Sequence, residues 1–422
     1  MRPHLTRLRQ AAHALRPRNA VNGPESIRPV PTDHSIRRVA HLTSVHDYRD
    51  HRIFFKECRT LAEAGLAVTL IAPGNADAVI DGVRIRVVSP YRNRTERMTR
   101  TVWGVYRAAA RENADLYHFH DPELIFVGLL LKLRGKRVIY DVHEDMTRTM
   151  LRKRWLPAPL IPLLPILARA IGIVESMAIR IFDATVLVIP MNERGFPSNK
   201  CVLVRNFPLA REFPPTVRPY HGRPPLAAYV GGIGAGRGAK DMVIAMSLIP
   251  MDLEARLALA GWFQPPELES ELRALPGFDR IDLLGDRSRD DVAKLLSEAR
   301  IGLCVLHPVP GYPESYPVKL FEYMAAGIPV IASDFPVWRA IVEGAGCGML
   351  VEPGQPAALA ASLTFLLQNQ EAAEAMGERG RRAMVDRYHW GPEGRRLVAL
   401  YDRLLAGGSA RGSATASSAG AG

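Results

Sequence analysis

The sequence predicts an α/β fold with two doubly wound, Rossmann-like parallel-sheet domains that face each other across a cleft. Three observations predict it. Short apolar runs alternate with helical stretches throughout residues 37–406, as expected for parallel strands buried on both faces. A proline-rich polar stretch, 208–225, divides this alternation into two series, and a length of 422 residues suits two or three domains. Such sheets bind ligands beyond the carboxyl ends of their strands, so the cleft is the expected site.

The chain is accordingly divided into six segments. Residues 1–36 are expected to form a flexible basic arm, and 407–422, a run of Gly, Ala, Ser, Thr and Arg, a disordered tail. Residues 37–207 form the first domain, with strands expected at Val39–Leu42, Val68–Ala72, Leu116–His118, Val138–Tyr140 and Thr185–Ile189. After the linker 208–225, residues 226–388 form the second domain, with strands expected at Ala227–Val230, Arg256–Ala260, Ile281–Leu284, Ile301–Val305, Pro329–Ala332 and Met349–Val351. The expected helices include Ile53–Ala64, Leu124–Leu133, Asp290–Ala299, Ala357–Leu367 and, in the last segment 389–406, Gly394–Leu405.

Composition and charge limit the function classes. The four cysteines are scattered without zinc-type spacing, which suits a reducing compartment. The net charge is +12, and residues 1–38 carry eight arginines against two acids. Such an excess suits nucleic acid, anionic lipid or a phosphorylated ligand, but no basic-aromatic module favours nucleic acid, which is not expected as a partner.

A basic and apolar segment of the first domain leaves two interpretations open. The basic residues of 148–154 precede the apolar run Trp155–Val174, which four prolines interrupt. This combination can seat a protein on an anionic membrane surface, or it can be a helical excursion packed within its own domain. We expect a cytoplasmic protein that is either free or peripheral at the inner membrane face.

A glycine-rich turn opens the second series of strands and helices. Residues 230–238 have the sequence VGGIGAGRG, between an expected strand and an expected helix. Glycines such as Gly231 and Gly232 let the backbone approach a ligand, amides at a helix start favour anions, and Arg237 is a cation suited to a diphosphate. The turn lacks the acidic strand end that would support NAD binding, and an ordinary tight turn is the alternative.

Two carboxylates flank the start of a later helix. Glu314 lies before this helix and Glu322 within it, so both can accept hydrogen bonds from hydroxyl groups of one extended ligand. A sugar at one end, a diphosphate in the middle and a ribose at the other end fit this arrangement, with a surface position for Glu322 as the alternative. The positions between the carboxylates are expected to contact the phosphates, mostly through amides at the helix start: Ser315, Tyr316, Val318 and Lys319.

Polar clusters follow two strands of the first domain. His143, with Glu144 beside it, suits acid–base or hydrogen-bonding work, and a structural loop histidine is the alternative. Asp50 and Arg52 are candidates for contact with an acceptor or a diphosphate, although an N-cap cluster for the helix at Ile53 explains them equally well.

A metal site is not expected from the sequence. His118, His120 and Asp121 make only a weak case for one, and Asp141 and Asp145 do not form a DxD pair.

The combined order and spacing of these motifs resemble family 4 glycosyltransferases. Glu314 and Glu322, with the following AAGIPVIASD, resemble the EX7E signature of that family. The turn at 230–238, LLGDRSRDDVAKLLSEARIGL at 283–303 and GMLVEPGQPAALAASLTFLL at 348–367 are also similar to it. The resemblance covers roughly residues 37–405. It implies a GT-B fold, a last helix that crosses back to the first domain, a nucleoside-diphosphate sugar as donor, no metal or other cofactor, and retention of anomeric configuration.

The resemblance also implies residue roles. Glu314 would contact the hydroxyl groups of the donor sugar, Glu322 the ribose and Arg237 the diphosphate, with Glu314, Arg237 and His143 as the catalytic set. Gly285 and Arg287 match a turn near the nucleotide base. Many relatives have an arginine where this chain has Gly232, so the diphosphate charge would be met by Arg237 alone or partly by the basic residues Lys319 and Lys240.

Three functions follow in order of preference. The first is sugar transfer to an acceptor hydroxyl. The basic segments suggest that this acceptor is a lipid-linked saccharide in bacterial surface polysaccharide synthesis. The second is epimerisation of a sugar nucleotide on the same fold. The third is a non-catalytic scaffold, against which the retained site residues argue.

Overall fold

The computed structural model describes residues 37–143, 145, 147, 162–191, 194–213 and 219–406. The predicted arm 1–36, the predicted tail 407–422, the basic stretch 148–154, the start of the apolar run and Glu144 therefore lie outside the described residues.

The first sheet has eight strands in the order β3-β4-β2-β1-β5-β6-β7-β8, all parallel except that β3 is antiparallel to β4. Its strands are β1 (Arg38–Leu42), β2 (Ala67–Pro73), β3 (Ala78–Ile80), β4 (Val83–Val88), β5 (Leu116–Phe119), β6 (Arg137–Val142), β7 (Ala184–Leu187) and β8 (Cys201–Leu203).

The second sheet has six parallel strands in the order β13-β11-β9-β14-β15-β16, and a two-stranded parallel ribbon joins β10 to β12. The strands are β9 (Leu226–Val230), β10 (Ile233–Gly234), β11 (Arg256–Ala260), β12 (Phe263–Gln264), β13 (Ile281–Gly285), β14 (Ile301–Cys304), β15 (Val330–Ser333) and β16 (Gly348–Val351).

Helices connect the strands. A π-helical turn, Ile53–Cys58, precedes the first of them, and a second, Arg97–Thr101, precedes the third. The helices are α1 (Arg59–Glu63), α2 (Arg94–Glu96), α3 (Val102–Glu112), α4 (Ile125–Leu133), α5 (Leu164–Ile181), α6 (Ala239–Leu248), α7 (Leu268–Arg273), α8 (Arg289–Glu298), α9 (Val318–Ala326), α10 (Pro336–Ala345), α11 (Pro356–Gln368), α12 (Gln370–Asp386) and α13 (Trp390–Ala406). The predicted α/β class with two parallel sheets is therefore confirmed.

Each sheet has its own buried core. Residues of β1, β2, β5 and β6 pack with α3 and α4 on one face and with the turn Ile53–Cys58 on the other. The second sheet is covered by α6 and α11 on one face and by α9 and α10 on the other. In the described part of the linker, Phe213 is buried with residues of α9, and Phe207, which the sequence assigns to the first domain, packs there too. The exact domain boundaries stay a prediction.

The last helix, α13, crosses back to the first sheet, as the family resemblance implied. Leu397, Leu400 and Tyr401 are buried with residues of β1 and β2, and the Trp390 indole donates a hydrogen bond to the Thr60 hydroxyl over 2.9 Å. Burial of these large side chains contributes on the order of 1.5–3 kcal/mol each, which fixes the C-terminal end of the chain against the N-terminal sheet.

Candidate active site

The strand order of each sheet reverses at one point, and ligands of open α/β sheets bind in the crevice there. In the second sheet this point lies between β9 and β14, which end at Val230 and Cys304. In the first sheet it lies between β1 and β5, which end at Leu42 and Phe119. The glycine turn after β9 therefore borders the crevice of the second sheet, and the polar residues after β1 and β5 border the crevice of the first.

The backbone of the glycine turn is tightly constrained. Gly231 and Gly238 have positive φ angles of 111° and 71°, and a Cβ on Gly238 would lie 2.0 Å from the Val305 carbonyl oxygen. A Cβ on Gly261 would lie 1.9 Å from the Gly231 oxygen, so the backbones of two loops are in direct contact. The Tyr229 hydroxyl donates to the Gly232 carbonyl over 2.7 Å and holds the turn from below. Glycine is required here for conformation and for close approach.

Two cations converge on this turn. The Arg237 guanidinium donates to the Gly232 carbonyl over 3.4 Å, and a Cβ on Gly232 would lie 3.2 Å from its Nη1. Arg237 therefore occupies the space that a side chain at position 232 would take. A Cβ on Gly231 would lie 3.6 Å from Lys319 Nζ, so Lys319 also faces the turn, whereas Lys240 pairs with Glu271.

Lys319 is an ammonium group in an apolar and cationic setting. Its Nζ is buried without a hydrogen-bond partner and lies 3.5 Å from the centre of the Tyr229 ring. Burial, together with the nearby Arg237, lowers the pKa of Lys319 to about 7, although Cys304 and Glu322 oppose the shift. An anion at the glycine turn would satisfy this group.

Glu322 is buried in α9, not on the surface. It is 3% exposed and its Oε1 accepts a hydrogen bond of 2.6 Å from Arg289 Nη1. Arg289 also donates to Glu212 over 2.8 Å, and the other Glu212 oxygen lies 2.7 Å from His51 Nε2. Despite its burial, Glu212 has a pKa of about 2 because His51 and Arg289 stabilise the carboxylate.

The segment between the two glutamates forms a loop followed by the first turn of α9. Glu314 is exposed, and Ser315 is fixed because its hydroxyl donates to the Tyr312 carbonyl and its carbonyl accepts from the Trp338 indole. The Tyr316 ring packs near Phe207 and Phe321 in a cluster of aromatic rings. Val318 is the first residue of α9, after Pro317, and no side chain caps this helix start, although the Leu320 amide donates to the Pro317 carbonyl over 3.1 Å.

The turn after β13 lies beside the loop that contacts the glycine turn. Gly285 has a φ of 69°, and its carbonyl accepts from the Gly261 amide, which joins this turn to the glycine turn. Arg287 is exposed, and it is Arg289, two residues later, that contacts Glu322. Sequence reasoning missed Arg289, although its place at a helix start after a strand end was a usable signal.

His143 lies at the carboxyl end of β6 and is partly exposed. Its Nε2 is 3.3 Å from Asp141 Oδ2 and 3.3 Å from His120 Nδ1. Burial alone would raise the pKa of the Asp141 carboxyl, but the Arg52 guanidinium and the neighbouring histidines hold that pKa well below its usual range. An ionised Asp141 therefore orients the His143 ring from behind, as in acid–base pairs of enzymes.

The role expected for Arg52 is wrong. Arg52 is 4% exposed, and its guanidinium bonds Asp141, Glu57 and the Val204 carbonyl. It cannot reach a second substrate without leaving these partners, and it acts instead as the counter-charge of buried carboxylates.

Asp50 fits the capping alternative. Its Oδ1 accepts from the amides of Arg52 and Ile53, and its Oδ2 lies 3.1 Å from His46 Nδ1. Asp50 is still partly exposed, so substrate contact stays a prediction for this residue, while Glu144 lies outside the described residues.

Comparison with known proteins gives two family models that match consecutive parts of the chain. One, described as glycosyl transferases group 1, matches residues 216–383, and the other, a glycosyl transferase 4-like domain, matches residues 56–206. The chain belongs to the family 4 glycosyltransferases. The match over 216–383 contains every strand of the second sheet, and the match over 56–206 contains β2 to β8 of the first sheet but not β1.

Curated relatives match over part of their length. A phosphatidyl-myo-inositol mannosyltransferase of Mycobacterium leprae is 30% identical over 174 residues, which are 40% of this chain and 45% of the relative. An N-acetyl-alpha-D-glucosaminyl L-malate synthase of Bacillus anthracis is 27% identical over 168 residues, 39% of this chain and 41% of the relative. The chain thus spans less than half the length of these relatives.

Solved structures confirm the GT-B fold. Sucrose-phosphate synthase from Thermosynechococcus elongatus is similar with a TM-score of 0.70 at 19% identity, over 88% of this chain and 100% of that one. HepE from Anabaena, in complex with UDP and glucose, has a TM-score of 0.66 at 12% identity, over 87% of this chain and 100% of that one.

The low pKa of Lys319 predicts that binding of a nucleoside diphosphate is accompanied by proton uptake. A diphosphate at the glycine turn would raise the Lys319 pKa from about 7, so binding at pH 8 should take up close to one proton, and affinity should fall as pH rises above 7. Calorimetric titration of a nucleoside diphosphate in buffers of different ionisation enthalpy measures this uptake. It should vanish in Lys319→Gln and persist in Lys240→Gln, whose ammonium is exposed beside Glu271. Uptake that is equal in both variants would contradict the assignment.

Proposed function

We propose that this protein is a retaining glycosyltransferase that moves a sugar from a nucleoside-diphosphate sugar to an acceptor hydroxyl. The convergence of Arg237 and Lys319 on the Gly231–Gly232 backbone, at the switch point of the second sheet, carries the proposal. Few ligands other than a diphosphate need two cations, a close backbone and a helix start at one place. The family membership and the fold support the same function.

The donor would lie along the start of α9. Its diphosphate would face Arg237 and Lys319, the sugar hydroxyl groups would face Glu314, and the ribose would face Glu322 at the opposite end. Because Glu322 already accepts a hydrogen bond from Arg289, a ribose hydroxyl would share this carboxylate with Arg289 or displace it. Gly285 lies on the turn that would border the base.

The reaction breaks the bond between the sugar C1 and the diphosphate oxygen and forms a bond from the acceptor oxygen to C1. Negative charge develops on the leaving diphosphate, so Arg237 and Lys319 contribute most when that charge appears. The acceptor proton passes to the departing diphosphate oxygen on the same face, which retains the anomeric configuration without an enzyme nucleophile. His143, oriented by Asp141, would bind the acceptor side of the sugar.

Arg289 and Glu212 connect the two halves of the site. Glu212 lies in the linker. It contacts His51, in the loop after β1 of the first domain, and pairs with Arg289, at the start of α8 in the second domain. A ligand that reorganises the Arg289–Glu322 pair would therefore change the contacts of the linker as well. This connection would couple donor binding to closure of the cleft, which excludes water from the reacting centre.

The acceptor is proposed to be a lipid-linked saccharide at an anionic membrane surface, in bacterial surface polysaccharide synthesis. The described part of the chain contains no helix that is long and apolar enough to span a membrane. Helix α5, however, exposes an apolar face that includes Ile166, Ile173, Val174, Met177 and Ile181. Its two arginines, at 169 and 180, are exposed, and its single acid, at 175, is buried. One relative is named a phosphatidyl-myo-inositol mannosyltransferase.

The transfer reaction has a direct test. Glu314→Ala and Arg237→Ala should each lower turnover about 100- to 1,000-fold, because each removes a group that stabilises the transition state. A panel of nucleoside-diphosphate sugars with released nucleoside diphosphate as readout measures it, and Glu378→Ala, an exposed acid on α12, is the matched control.

The outcome of this panel separates the alternatives. Epimer formed without any acceptor would identify an epimerase, and no turnover of any donor by folded wild-type protein would favour a scaffold. Turnover that survives in the Glu314 variant at the level of the control would contradict the proposed site.

Membrane contact predicts a second result. The double variant Ile166→Glu, Val174→Glu places two charges on the exposed face of α5 and should reduce co-sedimentation with anionic phosphatidylglycerol vesicles about tenfold or more. Val385→Glu changes an equally exposed valine on α12 and should leave sedimentation unchanged. Equal loss in both variants, or no binding by the wild type, would exclude α5 as the contact.

A further inference from the structure

Three histidines and a glutamate lie close together between the first sheet and the π-helical turn that covers one of its faces. His41 lies on β1 and pairs in register with His118 on β5, and His120 follows two positions later on the same face. Glu57 comes from the π-helical turn that covers this face. All four side chains are at most 2% exposed.

Their donor atoms are arranged around a common centre. Glu57 Oε2 lies 3.8 Å from His41 Nδ1, 3.9 Å from His118 Nδ1 and 3.9 Å from His120 Nε2. His41 Nδ1 and His120 Nε2 are 2.9 Å apart. Ligands of a tetrahedral zinc ion, at bond lengths of about 2.0–2.2 Å, are separated by roughly 3.3–3.5 Å. The three Glu57 distances and the His41–His120 distance are each within about half an ångström of that separation. All four donor atoms lie within 4.8 Å of one another.

The Glu57 carboxylate is the second observation that points to an ion. Its Oε2 is buried and has no hydrogen-bond partner. Its Oε1 lies 3.0 Å from Arg52 Nε, but the same guanidinium also pairs with Asp141. One guanidinium thus faces two buried carboxylates. A buried carboxylate with an unpartnered oxygen is costly unless a proton or a cation satisfies it.

The second nitrogens of two of these imidazoles have hydrogen-bond partners, as is typical of metal sites. The second nitrogen of His120 lies 3.3 Å from Asp141 Oδ2, and the second nitrogen of His41 lies 2.9 Å from the Tyr401 hydroxyl. Metal-bound imidazoles characteristically donate their other N–H to such groups. The Tyr401 hydroxyl also lies 2.9 Å from His118 Nδ1, the nitrogen that faces Glu57, so coordination through Nδ1 would replace this hydrogen bond.

We propose that His41, Glu57, His118 and His120 form a binding site for one divalent transition-metal ion, with Zn²⁺ as the ion that best fits three imidazoles and one carboxylate. The ion is structural. It joins β1, β5 and the turn Ile53–Cys58, and through His120 and Asp141 it fixes the support of His143. It takes no part in sugar transfer, so the family expectation of metal-free transfer is unaffected.

Metal analysis of the intact protein tests the site. Full-length protein produced in zinc-supplemented medium and passed over a chelating resin should contain about one zinc per chain by mass spectrometry. Protein produced with cobalt should show the intense visible bands of tetrahedral Co²⁺. A wild type with less than about 0.1 transition-metal ion per chain and no cobalt bands would overturn the proposal.

Variants locate the ion. Glu57→Gln keeps the shape and removes the anionic ligand, so zinc content should fall at least about fivefold. Glu175→Gln changes another buried acid of the same sheet, bonded to Tyr140 and Arg194, and should keep its zinc. If Glu57→Gln does not fold, the cobalt spectrum of the wild type decides, because histidine coordination shifts those bands. Equal zinc in both variants would overturn the assignment, since the ion would then lie elsewhere.

Discussion

The reversal of strand order on either side of β9 is the constraint on which the candidate active site depends. Because β11 and β14 flank β9 and their connections leave in opposite directions, a crevice opens at the end of β9. The chain must turn there with its backbone against the loop after β11, which explains the positive φ of Gly231 and the contact with Gly261. The same crevice receives Arg237 from its own loop and Lys319 from α9. Backbone topology thus brings two cations and a helix start to one place.

The crevice of the first sheet differs in that its ionisable side chains are buried. It places carboxylates and histidines in a dry environment, where each charge must be met by a partner. Arg52 meets Asp141, and Asp141 in turn orients His143 and contacts His120. Tyr401 of the crossing helix closes this network from behind. The crossing helix therefore does more than join the ends of the chain, because it supplies a hydroxyl to the support of the candidate site.

The sequence predicted the parts that depend on local pattern. Apolar runs located β1, β2, β5 to β7 and the six strands of the second sheet, and glycines located the tight turn. The runs missed were short or partly exposed, such as Ala78–Ile80 and Cys201–Leu203. Contacts between residues distant in the chain were not predictable in this way. The burial of Arg52 was missed because an arginine after a strand suits a ligand and a buried carboxylate equally well. The pairing of Arg289 with Glu322 and the approach of Tyr401 to His41 depend on how separate elements pack.

Hydrogen–deuterium exchange with a bound nucleoside diphosphate tests the central claim most directly, because it reports which backbone amides a ligand protects in the unmodified protein. Saturation should slow exchange in residues 230–238 and 314–322, at the crevice of the second sheet. Exchange in the strands β1 and β5 of the first sheet should change little. Protection confined to the loops of the first sheet, with residues 230–238 unaffected, would contradict a donor site at the crevice of the second sheet.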